Sequence, residues 1–286
     1  MRGLSLSGGG IKAAAHIGAL KAFEEEKIKF DCVSGASSGS IIATMYALGY
    51  SSDEMWKMFK KYCKRITYVE WKQILKMVVG LLFTRRLIID GLNSGKVIEK
   101  IIKEICEDSQ IKNINQIKMP LMISMVDLQK GTVYIASSQE KRKVLQDNTK
   151  YISDIPIATA VRASCSFPVV FSPCKFDGLQ LIDGGTRENL PWKGLKEYGA
   201  DEVYGIAFDT ILEKNQCCKN MIEVAARAME LQGRELANYE KEGIDHLITI
   251  FLKKVALLDS SQIDELYKMG YEETKKQLNL LKKSTK

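Results

Sequence analysis

Three short stretches carry the residue types from which acyl-transfer chemistry is built. Gly35-Ala36-Ser37-Ser38-Gly39 is a G-x-S-x-G pattern. Residues 30–34 predict a short buried strand and residues 41–48 a helix, so Ser37 falls on a strand-to-helix turn. Flanking glycines let the backbone turn sharply and leave the Ser37 Oγ exposed at the top of a sheet. The adjoining helix N-terminus favours developing negative charge, which suits a nucleophile. Upstream, Gly8-Gly9-Gly10 joins a predicted strand at 3–7 to a helical pattern at 11–27. That loop aims free backbone N–H groups at a common point and makes an anion or oxyanion site. Downstream, Asp183-Gly184-Gly185 follows a predicted strand at 179–182. An acid at the C-terminal end of a strand is a common place for a catalytic carboxylate in an α/β fold, and a plain Asp-Gly turn is the alternative.

Other chemistries compete for the same residues. Gly8-Gly9-Gly10-Ile11-Lys12-Ala13 also fits the G-x-G-x-x-A dinucleotide fingerprint, with Asp31 as the ribose-binding acid. Against it, Asp31 falls at the start of the second strand, whereas that acid belongs at the strand's end. A P-loop is excluded, because no G-K-[ST] follows the glycines. His16 and His246 are the two histidines. His16 lies in the first predicted helix and His246 opens a predicted strand at 246–252; each reads as a packed or surface residue, so a Ser–His–Asp triad has little support.

The elements that must position these groups alternate strand with helix. Ile11, Ala15, Leu20 and Phe23 give the first helix an inner face. Ser51 and Glu54 form a capping box that opens a helix through Cys63, and Asn93 or Ser94 caps another at 96–106. Residues 120–126 and 132–136 predict a hairpin through Gln129-Lys130-Gly131. Residues 157–163 read as helix, 202–208 as strand, 221–239 and 262–281 as long helices. The alternation predicts an α/β fold, with a mostly parallel central sheet and helices on both faces. Without repeats or Pro-rich linkers, residues 1–286 read as one domain, with 209–286 completing it. The stretch 71–89 is the most apolar part of the chain, with Lys72, Lys76, Arg85 and Arg86 at its flanks. It reads as a cap packed over the core or as an interfacial helix that docks on lipid.

The chain of 286 residues is long enough for a large core. Its net charge is 42 − 35 = +7. That excess reads as a solvated Lys-rich surface or as attraction to an anionic membrane face. Nothing in the sequence is a nucleic-acid-binding module. Seven scattered cysteines without a C-x-x-C pair predict reduced thiols in a cytoplasmic protein. Met1-Arg2 leads straight into the first strand, so no signal peptide is expected. The longest apolar run is too short to span a bilayer. No Asp-rich calcium loop is present, and no cofactor or metal is expected.

Taken in order, Gly8-Gly9-Gly10-Ile11-Lys12, Gly35-Ala36-Ser37-Ser38-Gly39, Ala163-Ser164-Cys165-Ser166-Phe167-Pro168 and Asp183-Gly184-Gly185 resemble the patatin-like phospholipase family, lipid acyl hydrolases with a Ser–Asp dyad. The resemblance covers roughly residues 3–208. It implies a patatin-like fold, Ser37 as nucleophile, Asp183 as base, and Gly8, Gly9 and Gly10 as the oxyanion hole. Lys12 matches the basic position after the glycines and implies oxyanion or substrate support. Family members often carry Gly where this chain has Ala13. The implied substrate is a lipid or other acyl ester. An esterase, thioesterase or acyltransferase on soluble acyl groups is the enzymatic alternative, and a non-hydrolytic nucleotide- or lipid-binding protein is the alternative outside enzymes.

Overall fold

The computed structural model describes all residues except 67–68, 86–88, 140–147, 211–216, 219–220, 253–255 and 285–286. In chain order the elements are β1 (Arg2–Leu6), α1 (Ala13–Glu25), β2 (Cys32–Gly35), α2 (Ser38–Ala47), α3 (Ser52–Tyr62), α4 (Trp71–Thr84), α5 (Lys96–Ile105), β3 (Leu121–Asp127), β4 (Val133–Ser137), β5 (Thr149–Ile152), α6 (Ile157–Ser164), β6 (Cys174–Phe176), β7 (Leu179–Asp183), α7 (Trp192–Tyr198), β8 (Glu202–Thr210), α8 (Met221–Glu240), β9 (His246–Leu252) and α9 (Ile263–Ser284). The strands form one sheet in the order β5-β4-β3-β2-β1-β8-β9, with β7 bound to β3 and β6 to β7. From β3 through β2, β1 and β8 to β9 every pairing is parallel.

Every residue of β3 is buried, as in a strand covered on both faces. Successive side chains alternate between those faces. Leu121, Ile123 and Met125 enter the larger core with α1, α2, α5 and α6, while Met122 enters a smaller core with Trp192 and Leu195 of α7. Helix α1, which carries the glycine loop at its start, is mounted firmly on α9. A Cβ on Gly18 would come within 2.0 Å of the Tyr267 carbonyl oxygen, and one on Gly270 within 2.0 Å of the Ala15 oxygen. The glycines therefore let the two helix backbones touch. The α3 capping box is present as expected, with the Glu54 N–H on Ser51 and the Glu54 side chain on the Ser51 N–H.

The sheet is more mixed than strict alternation implies. Strand β4 is antiparallel to β3, as its hairpin requires, and β7 is antiparallel to both β3 and β6. Helix α2 begins at Ser38, three residues earlier than its apolar pattern, because the turn at Ser37 feeds the helix directly. The cap of α5 is Gly95, in the left-handed region at φ 71°, with the Asn93 Oδ1 accepting from its N–H. The expected caps, Asn93 and Ser94, shape the turn before it instead. Helix α4 turns much of the described part of its apolar side-chain surface outward; of the stretch 71–89, residues 86–88, with Arg86, lie outside the described residues.

Candidate active site

Strands β2 and β7 share one edge of β3 and run toward each other along it. Gly35 pairs with Ile123 in parallel, and Asp183 pairs with Met125 in antiparallel. The C-terminal ends of the two strands therefore meet head-on across Ser124. This opposed register brings the turn after β2, with Ser37, against the end of β7, with Asp183.

Ser37 sits on the turn at φ 50°, ψ −129°. That conformation is strained for a residue with a Cβ, at a cost of about 1–3 kcal/mol. Backbone packing holds it. A Cβ on Gly35 would come within 2.5 Å of the Gly39 carbonyl oxygen, and one on Gly39 within 2.4 Å of the Leu6 oxygen. The Ser37 N–H donates to Ser164 Oγ at 2.9 Å, and the Ser40 hydroxyl donates to the Ser37 carbonyl at 2.6 Å.

Asp183 is 2% exposed. Its Oδ1 accepts the Gly185 N–H at 2.8 Å, and its backbone N–H donates to the Ser166 carbonyl at 3.0 Å. Burial pushes its pKa up to about 7, while the Ser37 side chain and the Gly185 N–H pull it partway back down. Although Ser37 stabilises the carboxylate in this way, Oδ2 completes no hydrogen bond and is the oxygen left open. Catalytic hydrogen bonds are often long in a ligand-free site and tighten around substrate. The third sequence block thus has a structural role that its composition did not disclose: Ser164 holds the Ser37 backbone and Ser166 holds that of Asp183.

The glycine loop faces the same point. The Gly8 N–H is already engaged, donating to Asn189 Oδ1 at 3.0 Å and lying 3.3 Å from the Asn189 carbonyl oxygen. Among the described residues, no acceptor is present for the N–H groups of Gly9 and Gly10. Gly10 has φ 61°, and a Cβ there would meet the Leu257 carbonyl oxygen at 2.3 Å. The loop is pinned there, because the Ile11 N–H donates to that same oxygen at 2.8 Å. Lys12 closes the turn, its N–H on the Gly9 carbonyl at 3.3 Å. Ala13 has ordinary right-handed geometry, so the methyl group in place of glycine is accommodated.

Asn189 is a residue that motif reading passed over. A Cβ on Gly8 would lie 2.7 Å from its Oδ1, and one on Gly185 would lie 2.8 Å from it. Asn189 therefore packs between the glycine loop and the Asp183 loop and ties them together. Glu240, at the end of α8, fixes Asn189 in turn by accepting its N–H at 2.8 Å and that of Leu190 at 3.2 Å. Burial raises the Glu240 pKa to about 7. Gly184 packs close on Ser124.

Neither histidine belongs to this group. His16 is fully buried, its Nε2 is 2.8 Å from the Ser7 carbonyl, and burial drives its pKa down to about 4. It supports the strand end before the loop as a neutral ring. His246 pairs with Glu202 at 2.7 Å, at the end of the sheet opposite the loop. Asp31 also sits at that opposite end, its carboxylate accepting the Arg2 N–H at 2.7 Å. The ribose-binding position of a dinucleotide fold is therefore not filled.

Ser37 and Asp183 line one cavity of about 490 Å³, together with Gly8, Gly9 and Asn189. On the other side of Ser37 runs a narrow apolar cleft of about 80 Å³. It passes between Ile41, Met45, Phe59, Ile98 and Phe171, and Phe167 borders both spaces. No group of three or more potential metal-ligating side chains occurs among the described residues.

Residues 4–196 match the family model described as patatin-like phospholipase. YqhO of Bacillus subtilis, described as uncharacterized, is 32% identical over 203 residues, covering 67% of this chain and 66% of that protein. Lysophospholipase NTE1 of Candida albicans is 26% identical over 215 residues, which cover 71% of this chain and 13% of that protein. The chain thus matches somewhat under two thirds of the first relative's length and only a small part of the second. VipD of Legionella pneumophila has the same fold, with a TM-score of 0.54 at 18% identity over 97% of this chain and 66% of that one.

Proposed function

The chain belongs to the patatin-like phospholipase family, and from that premise we propose that it hydrolyses acyl ester bonds of lipids through a Ser37 acyl-enzyme. The observation that carries this reading is the meeting of a strained serine and a buried carboxylate in one cavity that opens onto an apolar cleft. The Ser37 Oγ attacks the ester carbonyl carbon, and Asp183 accepts its proton. A carboxylate with a pKa near 7 is a far better base than an exposed one. The N–H groups of Gly9 and Gly10 hold the tetrahedral oxyanion; Gly8, engaged by Asn189, keeps the loop in place. Each donor is worth roughly 3 kcal/mol to the transition state. Asp183 returns the proton to the leaving oxygen. Water, giving a proton to Asp183, then attacks the acyl carbonyl carbon; the bond to Ser37 Oγ breaks, Asp183 returns the proton to Oγ, and the fatty acid leaves. Lys12 holds the turn and places a cation beside it.

The apolar cleft favours a lipid acyl chain over a short soluble acyl group, since it offers a chain one nearly dry wall. The test is hydrolysis of a phospholipid and of a short soluble ester by wild type, Ser37→Ala and Asp183→Asn. The reading expects loss of both activities in both variants and preference for the longer chain in wild type. Full activity in either folded variant overturns the dyad. Among the described residues, no helix is long and apolar enough to cross a membrane. Peripheral contact with an anionic membrane face is the proposed route to substrate, in keeping with the excess of basic residues. Residues 1–286 act in this reading as one unit, a view supported by β8 and β9 sharing the sheet that carries the site.

A further inference from the structure

We propose that the outer face of α4 is a docking surface for an anionic lipid bilayer, placed at the rim of the apolar cleft; the inference deepens the lipid-hydrolase reading and rests on it only for the identity of the substrate. Helix α4 is turned inside out. Trp71, Leu75, Val78 and Leu82 recur at helical spacing and form one stripe, with Phe83 beside it. Trp71, Leu82 and Phe83 are 74%, 73% and 82% exposed, whereas the polar Gln73 is 6% exposed. A helix on a water-facing surface has the opposite pattern, and contiguous exposed apolar surface marks an interaction site.

The charges around the stripe select the occupant. Residues 71–85 contain no Asp or Glu, while Lys72, Lys76 and Arg85 are exposed. Long basic side chains beside an apolar stripe reach headgroup phosphates while the stripe enters the acyl boundary. A second copy of the chain fits poorly, because a two-fold contact through this face would set the same cations against each other. The helix has 14 residues, too few to span a bilayer and enough to lie along it.

Its position links the surface to the site. The Glu70 N–H donates to Leu92 O at 2.9 Å, and the Leu92 N–H donates to Val169 O at 3.0 Å. Val169 is 47% exposed and holds φ 71°, an unfavourable conformation for a β-branched residue. Phe167 and Phe171 on either side of it, and Ile66 before α4, line the cleft that reaches Ser37. Backbone hydrogen bonds thus tie the start of α4 through Leu92 to Val169, which lies between two residues that line the cleft, so a bilayer seated on α4 would lie beside the cleft.

The test uses the full chain with sedimented vesicles of phosphatidylcholine alone or mixed with phosphatidylglycerol. Wild type is expected to bind the mixed vesicles. The triple variant Trp71→Ser, Leu82→Ser, Phe83→Ser is expected to bind them at least tenfold more weakly, since each side chain forfeits a large apolar burial. Its hydrolysis of a soluble short-chain ester should be unchanged. Lys72→Gln with Lys76→Gln should weaken binding to the mixed vesicles on the order of tenfold at low salt and leave binding to phosphatidylcholine alone unaltered. Wild-type binding by the triple variant, or no binding by wild type, overturns the proposal. So does a wild-type dimer that the triple substitution dissociates, because the face would then belong to a second copy. Intact vesicle binding by a wild type that hydrolyses no ester would overturn the hydrolase reading and leave the docking surface standing.

Discussion

Replacing Asp183 by Asn should abolish activity and stabilise the protein, and only at neutral to alkaline pH. Burial raises the Asp183 pKa from 3.8 to about 7. A carboxyl whose pKa is higher in the folded state stabilises the fold fully below its unfolded value, and that contribution is lost as the pH rises through the folded value. The window therefore runs from about pH 4 to about pH 7. A shift of about 3 units at 1.36 kcal/mol each amounts to about 4 kcal/mol, the cost of keeping an ionised carboxylate in this site at high pH. Asn keeps the Oδ1 that accepts the Gly185 N–H and carries no charge. Urea unfolding of wild type and Asp183→Asn at pH 4 and pH 8.5, followed by tryptophan fluorescence, should show a gap in favour of the variant that widens by about 4 kcal/mol at the higher pH. Ester hydrolysis at pH 8.5 should fall by about 10²–10⁴-fold. A stability gap independent of pH, or activity within tenfold of wild type, would refute the reasoning.

Because Asp183 must be ionised to act, kcat/KM should rise about tenfold per pH unit below 7 and level off above it; a flat profile between pH 5 and 8 would contradict this. Asn189→Ala should release the Gly8 N–H and loosen the two loops it joins, lowering kcat by about 10–100-fold with little change in KM for a short ester, as Michaelis kinetics would show. Ile41→Trp should narrow the apolar cleft and shift the optimum in a series of acyl esters toward shorter chains, with butyrate hydrolysis retained.

The candidate site was legible where chemistry is local. Ser37 could be read as a candidate from glycines that permit a sharp turn, and Asp183 as a candidate from its place at a strand end. What could not be read was direction and partnership. A stretch such as Leu179–Asp183 is equally a strand whichever way it runs, yet the approach of Asp183 to Ser37 depends on β7 running against β3 so that its end faces β2. The roles of Ser164 and Asn189 depend on contacts across 127 and 181 residues of chain, respectively, which no periodicity encodes. Strands β5 and β6 have only four and three residues and partly exposed faces, too little pattern to detect. Sequence points to the glycine loop as a candidate anion site, but the engagement of Gly8 by Asn189, which leaves Gly9 and Gly10 without an acceptor among the described residues, is visible only in the tertiary structure. Sequence hydropathy marked 71–89 as unusual, and the outward exposure of Trp71, Leu82 and Phe83 could be read only from the tertiary structure.

The proposed hydrolysis requires Ser37 to be an activated nucleophile. Labelling wild type and Ser37→Ala with a fluorophosphonate, and locating the adduct by mass spectrometry, tests it most directly. An adduct is expected on Ser37 in wild type and none in the variant. Folded wild-type protein that stays unlabelled both in buffer and with mixed vesicles, or that is labelled at a different residue, would contradict it.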